Sequence, residues 1–177
     1  LQGDLPVGVY ARDIILNYIG DVGEDGANYK ALEWSGPLSS KLSVESRACI
    51  ANASMECGAK SASFSVDEST KYFLEESGRK YHRIVNPGKN AEYAEKYYVE
   101  CGKLEPIVTG PDQVDKVQTV SEASGIEIDQ AFIGSATNGR IEDLEVAAHI
   151  LSKGKVHAGT RCIVTPASMK VYEEAIR

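Results

Sequence analysis

The stretch Ile128–Leu144, which reads IDQAFIGSATNGRIEDL, constrains the fold more than any other part of the chain. Residues 128–133 are rich in Ile and Phe, which predicts a buried β-strand. Small and turn-forming residues follow at 134–140. Apolar residues then recur at helical spacing from Ile141, and Gly154 is the expected end of that helix. The stretch therefore predicts a strand, a tight loop and a helix.

A loop between a strand and a helix has two interpretations. In α/β proteins it often binds anionic ligands, because the helix N-terminus presents N–H groups that have no partner within the helix. It is also the ordinary close-packed connection of such folds. This loop lacks the patterns G-x-x-x-x-G-K-[ST] and G-x-G-x-x-G of nucleotide-binding loops. A phosphate- or nucleotide-binding module is therefore the least favoured interpretation.

Composition argues against two classes of function. The 177 residues carry 19 basic and 26 acidic side chains, for a net charge of −7. RNA and DNA are bound mainly through Lys and Arg, so an acidic surface disfavours both. The longest apolar runs are only a few residues, too short to cross a bilayer. Since hydrophobic content of 42% is sufficient for a packed core, we expect a globular protein that binds neither nucleic acid nor membranes.

The four cysteines show no metal-binding pattern. Cys49, Cys57, Cys101 and Cys162 form no C-x-x-C pair and have no zinc-ligand spacing with the three histidines. We therefore expect buried free thiols in a cytoplasmic protein. His82 is a lone histidine and is interpreted as structural.

The most informative helix is predicted from Val44 to Cys57, between the N-cap Ser43 and the stop Gly58. We expect one apolar stripe to face the core, formed by Val44, Ala48, Ala51 and Met55. Asn52 and Glu56 lie on a neighbouring polar stripe with Glu45 and Cys49. Because they are four residues apart, their Cβ atoms should lie about 5–6 Å apart on one face. Spacing alone favours a polar shoulder of an amphipathic helix, with Glu56 in water.

The same signals predict the other elements, namely helices at 11–20, 68–77, 90–96 and 168–177, and strands at 29–34, 61–66, 97–101 and 161–164. Asp67 is interpreted as the N-cap of its helix rather than as half of a metal-binding pair with Glu68.

The β-α-β-α order after residue 128 predicts a parallel sheet with helices on its faces. We predict domains at 1–108 and 119–177, joined by a linker at 109–118. The chain begins with Leu1 rather than Met, so we expect a segment of a longer multidomain protein.

Four separate motifs resemble the aconitase superfamily, most closely the large subunits of 3-isopropylmalate dehydratase and homoaconitase. The loop GSATNGRIEDL resembles the family's GSCTNGR-x-EDL, in which the cysteine is one of three thiolates that hold a [4Fe–4S] cluster. Residues 42–60 resemble L-S-x-E-x-R-x-x-I-C-N-M-x-x-E-x-G-A, whose Asn and Glu reach the cluster and its substrate. The runs DIILNYIG to SGP, at 13–37, and LEPIVTGP, at 104–111, extend the resemblance over essentially the whole chain.

The resemblance implies an aconitase-like three-layer α/β/α fold with a mainly parallel sheet. It implies a dehydratase that isomerises a 2-hydroxy di- or tricarboxylic acid, with Glu56 and Asn52 as catalytic residues. Ser135, Thr137 and Asn138 would line the cluster loop. Ala136 stands where the family has the cluster cysteine, so we expect this chain to hold no stable cluster and to have no turnover. The implied partners are the rest of the large subunit and a small swivelling subunit.

A non-catalytic interpretation stays open beside the enzymatic one. Alanine offers no atom that can ligate iron, so the chain is alternatively an inert segment or a paralogue retained for assembly or binding. Both interpretations accept the family and differ in the chemical state of the loop.

Overall fold

The structure is a computed structural model that describes residues 1–81 and 83–177; the prediction for His82 lies outside them. The helices are α1 (Ala11–Val22), α2 (Val44–Ala53), α3 (Glu68–Glu76), α4 (Ile141–Leu151) and α5 (Met169–Ala175). The strands are β1 (Ala31–Trp34), β2 (Ser61–Phe64), β3 (Ile107–Thr109), β4 (Val117–Thr119), β5 (Gln130–Gly134) and β6 (Arg161–Thr165). Two short 3₁₀ turns lie at Ser54–Cys57 and Cys101–Lys103. None of these helices has the length and apolar character needed to cross a bilayer.

Strand pairing confirms the predicted α/β class with parallel strands. β1 pairs with β2 and β5 pairs with β6, both in parallel. The antiparallel pair β3–β4, in which Ile107 lies opposite Thr119, was not predicted. The chain forms two compact units, a first unit at Leu1–Glu122 and a second unit at Ala123–Arg177. The domain boundaries inferred from the sequence, with a linker at 109–118, remain a prediction.

The core of the first unit lies between α1, α2 and β1. Ile14, Ile15 and Ile19 of α1 are fully buried and belong to one cluster with Ile50 of α2. The single tryptophan of the sequence, Trp34 of β1, is buried in the same cluster. Full burial of each isoleucine side chain contributes about 1.5–3 kcal/mol relative to exposure. α1 and α2 are therefore fixed against each other.

The prediction for the apolar face of α2 is wrong. Met55 is 51% exposed, and the buried residues are Arg47, Cys49, Ile50 and Ala53. The helix also ends at Ala53 and gives way to the 3₁₀ turn, rather than continuing to Cys57. Small residues occupy both sides of this helix, so the pattern alone does not show which side the isoleucines of α1 cover.

Other predicted boundaries need correction. α1 continues to Val22 instead of ending at Gly20. Gly20 lies inside the helix and permits close packing, since a Cβ there would lie 2.7 Å from Cγ2 of Val117 in β4. The helix expected at 90–96 and the strand expected at 97–101 do not form as regular elements. Side chains anchor that segment instead, with the Tyr93 hydroxyl donating to Glu33 at 2.9 Å and the Lys30 ammonium pairing with Glu95 at 2.9 Å.

The second unit consists of β5, α4, β6 and α5, in the predicted order. Its first strand is wrongly predicted as buried. Ala131 and Ile133 are half-buried, but Phe132, on the other face of the strand, is 56% exposed. Successive side chains of a strand point to opposite faces, so one face of this two-stranded sheet is open.

Candidate functional site

Glu56 lies on the 3₁₀ turn Ser54–Cys57, and contacts at the start and at the end of the turn fix its backbone. Ser54 is fully buried, and its Oγ accepts the indole N–H of Trp34 at 3.0 Å and donates to the Ile50 carbonyl at 2.8 Å. The Cys57 thiol donates to the Ser54 carbonyl at 3.1 Å. Gly58 ends the turn with φ 84°, the left-handed conformation that glycine adopts readily. The backbone position of Glu56 is therefore fixed.

The Glu56 carboxylate is paired with Arg12 of α1. Nη1 and Nη2 of Arg12 both donate to Oε1 at 3.2 Å, and Nη2 also donates to Oε2 at 3.1 Å. The two side chains are 33% and 36% exposed, so water reaches the pair. A multiple contact between a guanidinium and a carboxylate fixes orientation as well as charge. No pattern in the sequence pointed to Arg12, since 44 residues separate the partners.

Asn52 lies in the last turn of α2 and is exposed. Because the helix tightens to a 3₁₀ turn after Ala53, the spacing of four residues to Glu56 is not that of one continuous α-helix. The structure therefore places the two candidate residues on adjacent elements, Asn52 in α2 and Glu56 in the 3₁₀ turn.

The predicted loop at 134–140 is folded tightly against the end of β6. Gly134 and Ser135 have φ of 102° and 93°, which turns the chain sharply after β5. The Ser135 N–H donates to the Thr165 carbonyl at 2.9 Å, and the Ala167 N–H donates to the Gly139 carbonyl at 2.7 Å. A Cβ at Gly139 would lie 2.5 Å from the Ser135 carbonyl oxygen. Only glycine permits this closure.

The loop leads into α4 through Asp143, which belongs to the motif GSATNGRIEDL but received no role in the sequence analysis. Its Oδ2 accepts the N–H of Arg140 at 3.1 Å, and its Oδ1 accepts the side-chain amide of Asn138 at 3.2 Å. Asn138 thus helps to hold the start of α4. Ser135 and Ala136 are exposed, and Thr137 is half-buried. Nε of Arg140 is enclosed and has no hydrogen-bond partner among residues 1–81 and 83–177.

The donor atoms of the loop do not fit an iron–sulfur cluster. Such clusters are held by thiolates, and the exposed side chain at position 136 is a methyl group. Burial raises the pKa of the Cys57 and Cys101 thiols in the first unit, which favours their protonated form over the ligating thiolate. Across the part of the chain that the structure describes, no three His, Cys, Asp or Glu side chains are grouped to hold a metal ion.

Comparison with known proteins decides the family. The model of the aconitase family (aconitate hydratase) matches residues 1–125 and 116–177. The chain belongs to the aconitase family. Similar curated proteins include 3-isopropylmalate dehydratase large subunit 2 of Archaeoglobus fulgidus, 49% identical over 99% of this chain. The large subunit of Hydrogenobaculum sp. is 46% identical over 98%, and large subunit 1 of Methanopyrus kandleri is 42% identical over 100%.

The chain spans 41–42% of the length of these three relatives. Within it, the candidate residues fall into two groups. Asn52 and Glu56 lie in the first unit, and Ser135, Ala136, Thr137 and Asn138 lie in the second. Their combination into one site, which the resemblance implies, remains a prediction. Arg12 and Asp143 are the charged residues that the structure adds to these groups.

Proposed function

We propose that this aconitase-family chain is part of a hydro-lyase that isomerises a 2-hydroxy di- or tricarboxylic acid by removing and re-adding water. The similarity to 3-isopropylmalate dehydratase large subunits over essentially the whole chain carries this proposal. It favours an isopropylmalate- or homocitrate-like substrate and a cytoplasmic role in amino-acid biosynthesis such as that of leucine. The partners are the rest of a large subunit and a small swivelling subunit.

Glu56 is the proposed proton acceptor and donor. A hydroxyl group that leaves as water takes up a proton, and re-addition of water releases one, so the reaction needs a group that exchanges protons with the departing oxygen at a fixed place. A carboxylate on a rigid turn, with water access, supports that role. The exposed amide of Asn52 supplies a donor and an acceptor for substrate oxygen atoms.

In intact relatives the cluster acts as a Lewis acid on the hydroxyl group. In this chain Ala136 stands in place of a ligand of that cluster, so its own residues do not supply the Lewis acid. We expect the chain as it stands to bind no stable [4Fe–4S] cluster and to have no turnover. That same substitution favours the second candidate function, a non-catalytic segment or paralogue that serves assembly or binding.

A chimera tests the proposal directly. The 177 residues replace the matching segment of the Archaeoglobus fulgidus large subunit, which is then combined with its small subunit. The chimera carries either Ala136 or the substitution Ala136→Cys. After anaerobic reconstitution, iron and sulfide content, visible absorbance and EPR report the cluster, and hydration of isopropylmaleate reports activity. We expect both signals only in the Ala136→Cys form.

Two other outcomes have definite meanings. A cluster and turnover in the Ala136 form would refute the predicted inactivity. A correctly folded Ala136→Cys form that gains neither a cluster nor turnover would refute the hydro-lyase assignment and leave the non-catalytic function. The unmodified Archaeoglobus fulgidus enzyme, reconstituted in parallel, controls for the procedure.

A further inference from the structure

Leu1 and Gln2 form a short strand that is paired on both sides. The amino group of Leu1 donates to the Ser35 carbonyl at 2.6 Å, and the Leu38 N–H donates to the Leu1 carbonyl at 3.4 Å. On the other side, Gln2 exchanges two backbone hydrogen bonds, of 3.0 and 2.7 Å, with residues 99–101 in a parallel bridge. The two residues therefore lie between two stretches of chain and are bonded to both.

A groove in the first unit continues from this short strand. It encloses about 660 Å³ between two walls, β1 with its flanking residues at 29–37 and the segment at 93–99. Leu1 and Gln2 also line it, and their bonds to Ser35 and to residues 99–101 place them where the two walls end. The groove therefore extends along the line of a strand that already pairs with both walls.

Each wall has a backbone edge that is available for pairing. Within the described residues, β1 pairs with β2 along one of its two edges and with no other strand. In the same part of the chain, no backbone–backbone hydrogen bond involves residues 92–98. Since an unpaired strand edge is a template for a further strand, both walls can bond to the same occupant.

Side chains hold the two walls on opposite sides of the groove. The buried ring of Tyr18 lies with its centroid 5.2 Å from that of Trp34 in β1 and 5.2 Å from that of Tyr97. The Lys30 ammonium reaches the Glu95 carboxylate at 2.9 Å. Directly paired strands lie about 4.7–4.9 Å apart, so walls that are joined through long side chains leave room for a strand between them.

The sequence of one wall supports the same interpretation. Residues 97–101 are predicted to form a strand, since Tyr and Val favour extended structure. In the structure this stretch forms no regular strand, and its backbone pairing is confined to the bridge with Gln2. A strand-forming stretch that pairs only beside Gln2 indicates that its preceding residues need a neighbour in the groove.

We propose that an extended segment from the rest of a large subunit fills this groove as a β-strand, parallel to β1 and in line with Leu1–Gln2. The inference rests on the proposed function only for the source of the strand. The chain spans 42% of the Archaeoglobus fulgidus large subunit, so more than half of that protein lies outside the match. Alternate residues of the strand are apolar, because one of its faces covers the aromatic rings of Tyr18 and Trp34.

Peptides test this proposal with the 177-residue chain itself. Overlapping synthetic peptides cover the unmatched part of the Archaeoglobus fulgidus large subunit. We expect one peptide, or a set of overlapping ones, to bind saturably and to change the fluorescence of Trp34. The bound peptide should slow amide hydrogen exchange in β1 and at 95–98 by at least about tenfold, since both edges become paired. The same peptide with N-methylated central residues should not bind, because it has lost backbone donors.

Two substitutions at one position separate backbone pairing from side-chain contact. Glu95→Pro removes a backbone N–H from one wall and should weaken peptide binding by at least about tenfold. Glu95→Gln loses the same ion pair with Lys30 but keeps the N–H, and it should bind the peptide as the unmodified chain does. Urea unfolding followed by Trp34 fluorescence verifies that both variants are folded.

Several results would overturn the proposal. They are no saturable binding by any peptide, equal binding by a peptide of scrambled sequence, and binding that persists after N-methylation or in Glu95→Pro. Protection of the two walls that rises with the concentration of the chain alone would identify a second copy as the occupant and would also overturn it. None of these results bears on the hydro-lyase assignment, which depends on the cluster and the turnover of the chimera.

Discussion

Removing the charge of Asp67 should destabilise the first unit more than any other loss of a single surface carboxylate. Asp67 accepts the Thr70 N–H at 3.0 Å as the N-cap of α3, and its other oxygen pairs with Nη2 of Arg47 at 2.8 Å. The Arg47 side chain is only 5% exposed, whereas that of Asp67 is 32% exposed. Asp67→Asn keeps an acceptor for the cap but leaves a buried guanidinium without its counter-charge.

The magnitude follows from these contacts. Removing one partner of a fully buried ion pair costs about 3–5 kcal/mol. Here water screens the Asp67 side, and Arg47 keeps hydrogen bonds to the Leu42 and Ser40 carbonyls. We therefore expect about 2–3 kcal/mol for Asp67→Asn. Asp67→Ala should cost about 1 kcal/mol more, because the cap is lost as well.

Urea unfolding monitored by Trp34 fluorescence measures the effect on the first unit. Glu68→Gln is the matched control, since it removes an acid from the same helical turn whose partner Lys71 lies in an exposed pair. We expect less than about 0.5 kcal/mol for that variant. A loss below that level for Asp67→Asn as well would refute the argument that Arg47 depends on Asp67.

The pH dependence gives a second, independent check. The hydrogen bond from Arg47 is the main cause that holds the pKa of the Asp67 carboxyl well below its usual value. A lowered pKa contributes stability that is complete above the unfolded pKa of about 3.9 and is lost as pH falls through the lower folded value. The difference between wild type and Asp67→Asn should therefore be constant near neutral pH and shrink below about pH 4. A difference that grows on acidification would contradict this.

Two pairs of glycine substitutions test the packing of the turns. Gly58→Ala should destabilise by about 0.5–1.5 kcal/mol more than Gly78→Ala in urea unfolding, because its Cβ would lie 2.0 Å from Oδ1 of Asn28 and displace that side chain from its hydrogen bond to Asp25, while Gly78 faces open space at a similar φ; equal losses would show that only the backbone conformation matters. Gly139→Ala should speed amide hydrogen exchange in β5 and β6, because its Cβ would meet two carbonyl oxygens at 2.5 and 2.6 Å, whereas Gly154→Ala should not. Unchanged exchange in both variants would refute the tight closure of the loop.

The sequence predicted local features well because their signals are local. Ser43 caps α2 by accepting the Ser46 N–H at 2.9 Å, and Asp67 caps α3 as expected. The strand–loop–helix order around 134–140 is confirmed for the same reason: a glycine-rich turn and a helix start are encoded by adjacent residues. The free thiols Cys49, Cys57 and Cys101 are buried as predicted, while Cys162 is half-buried.

The features that the sequence did not predict depend on distant partners. The buried side of α2 is chosen by the isoleucines of α1, and Arg47 is buried on it because Asp67 and backbone carbonyls satisfy its guanidinium. β3 and β4 are three residues each and have no periodicity to detect. They are positioned where Ile107 donates to Asp13 and Val117 meets Gly20. No local signal indicated Arg12, because its partner Glu56 is remote in sequence.

The conformation of the loop at 134–140 does not depend on a cysteine at position 136, the residue that would ligate a cluster. Its closure rests on backbone bonds of Ser135, Gly139 and Ala167, and its junction with α4 rests on Asp143. Ala136 is exposed between these fixed points, so its side chain is not needed for any of them. Ala136→Cys should therefore change the stability of the 177-residue chain by less than about 0.5 kcal/mol in urea unfolding, as for other exposed substitutions. A larger change would mean that position 136 has a structural role, and cluster uptake by the Ala136→Cys form could not then be assigned to the thiolate alone.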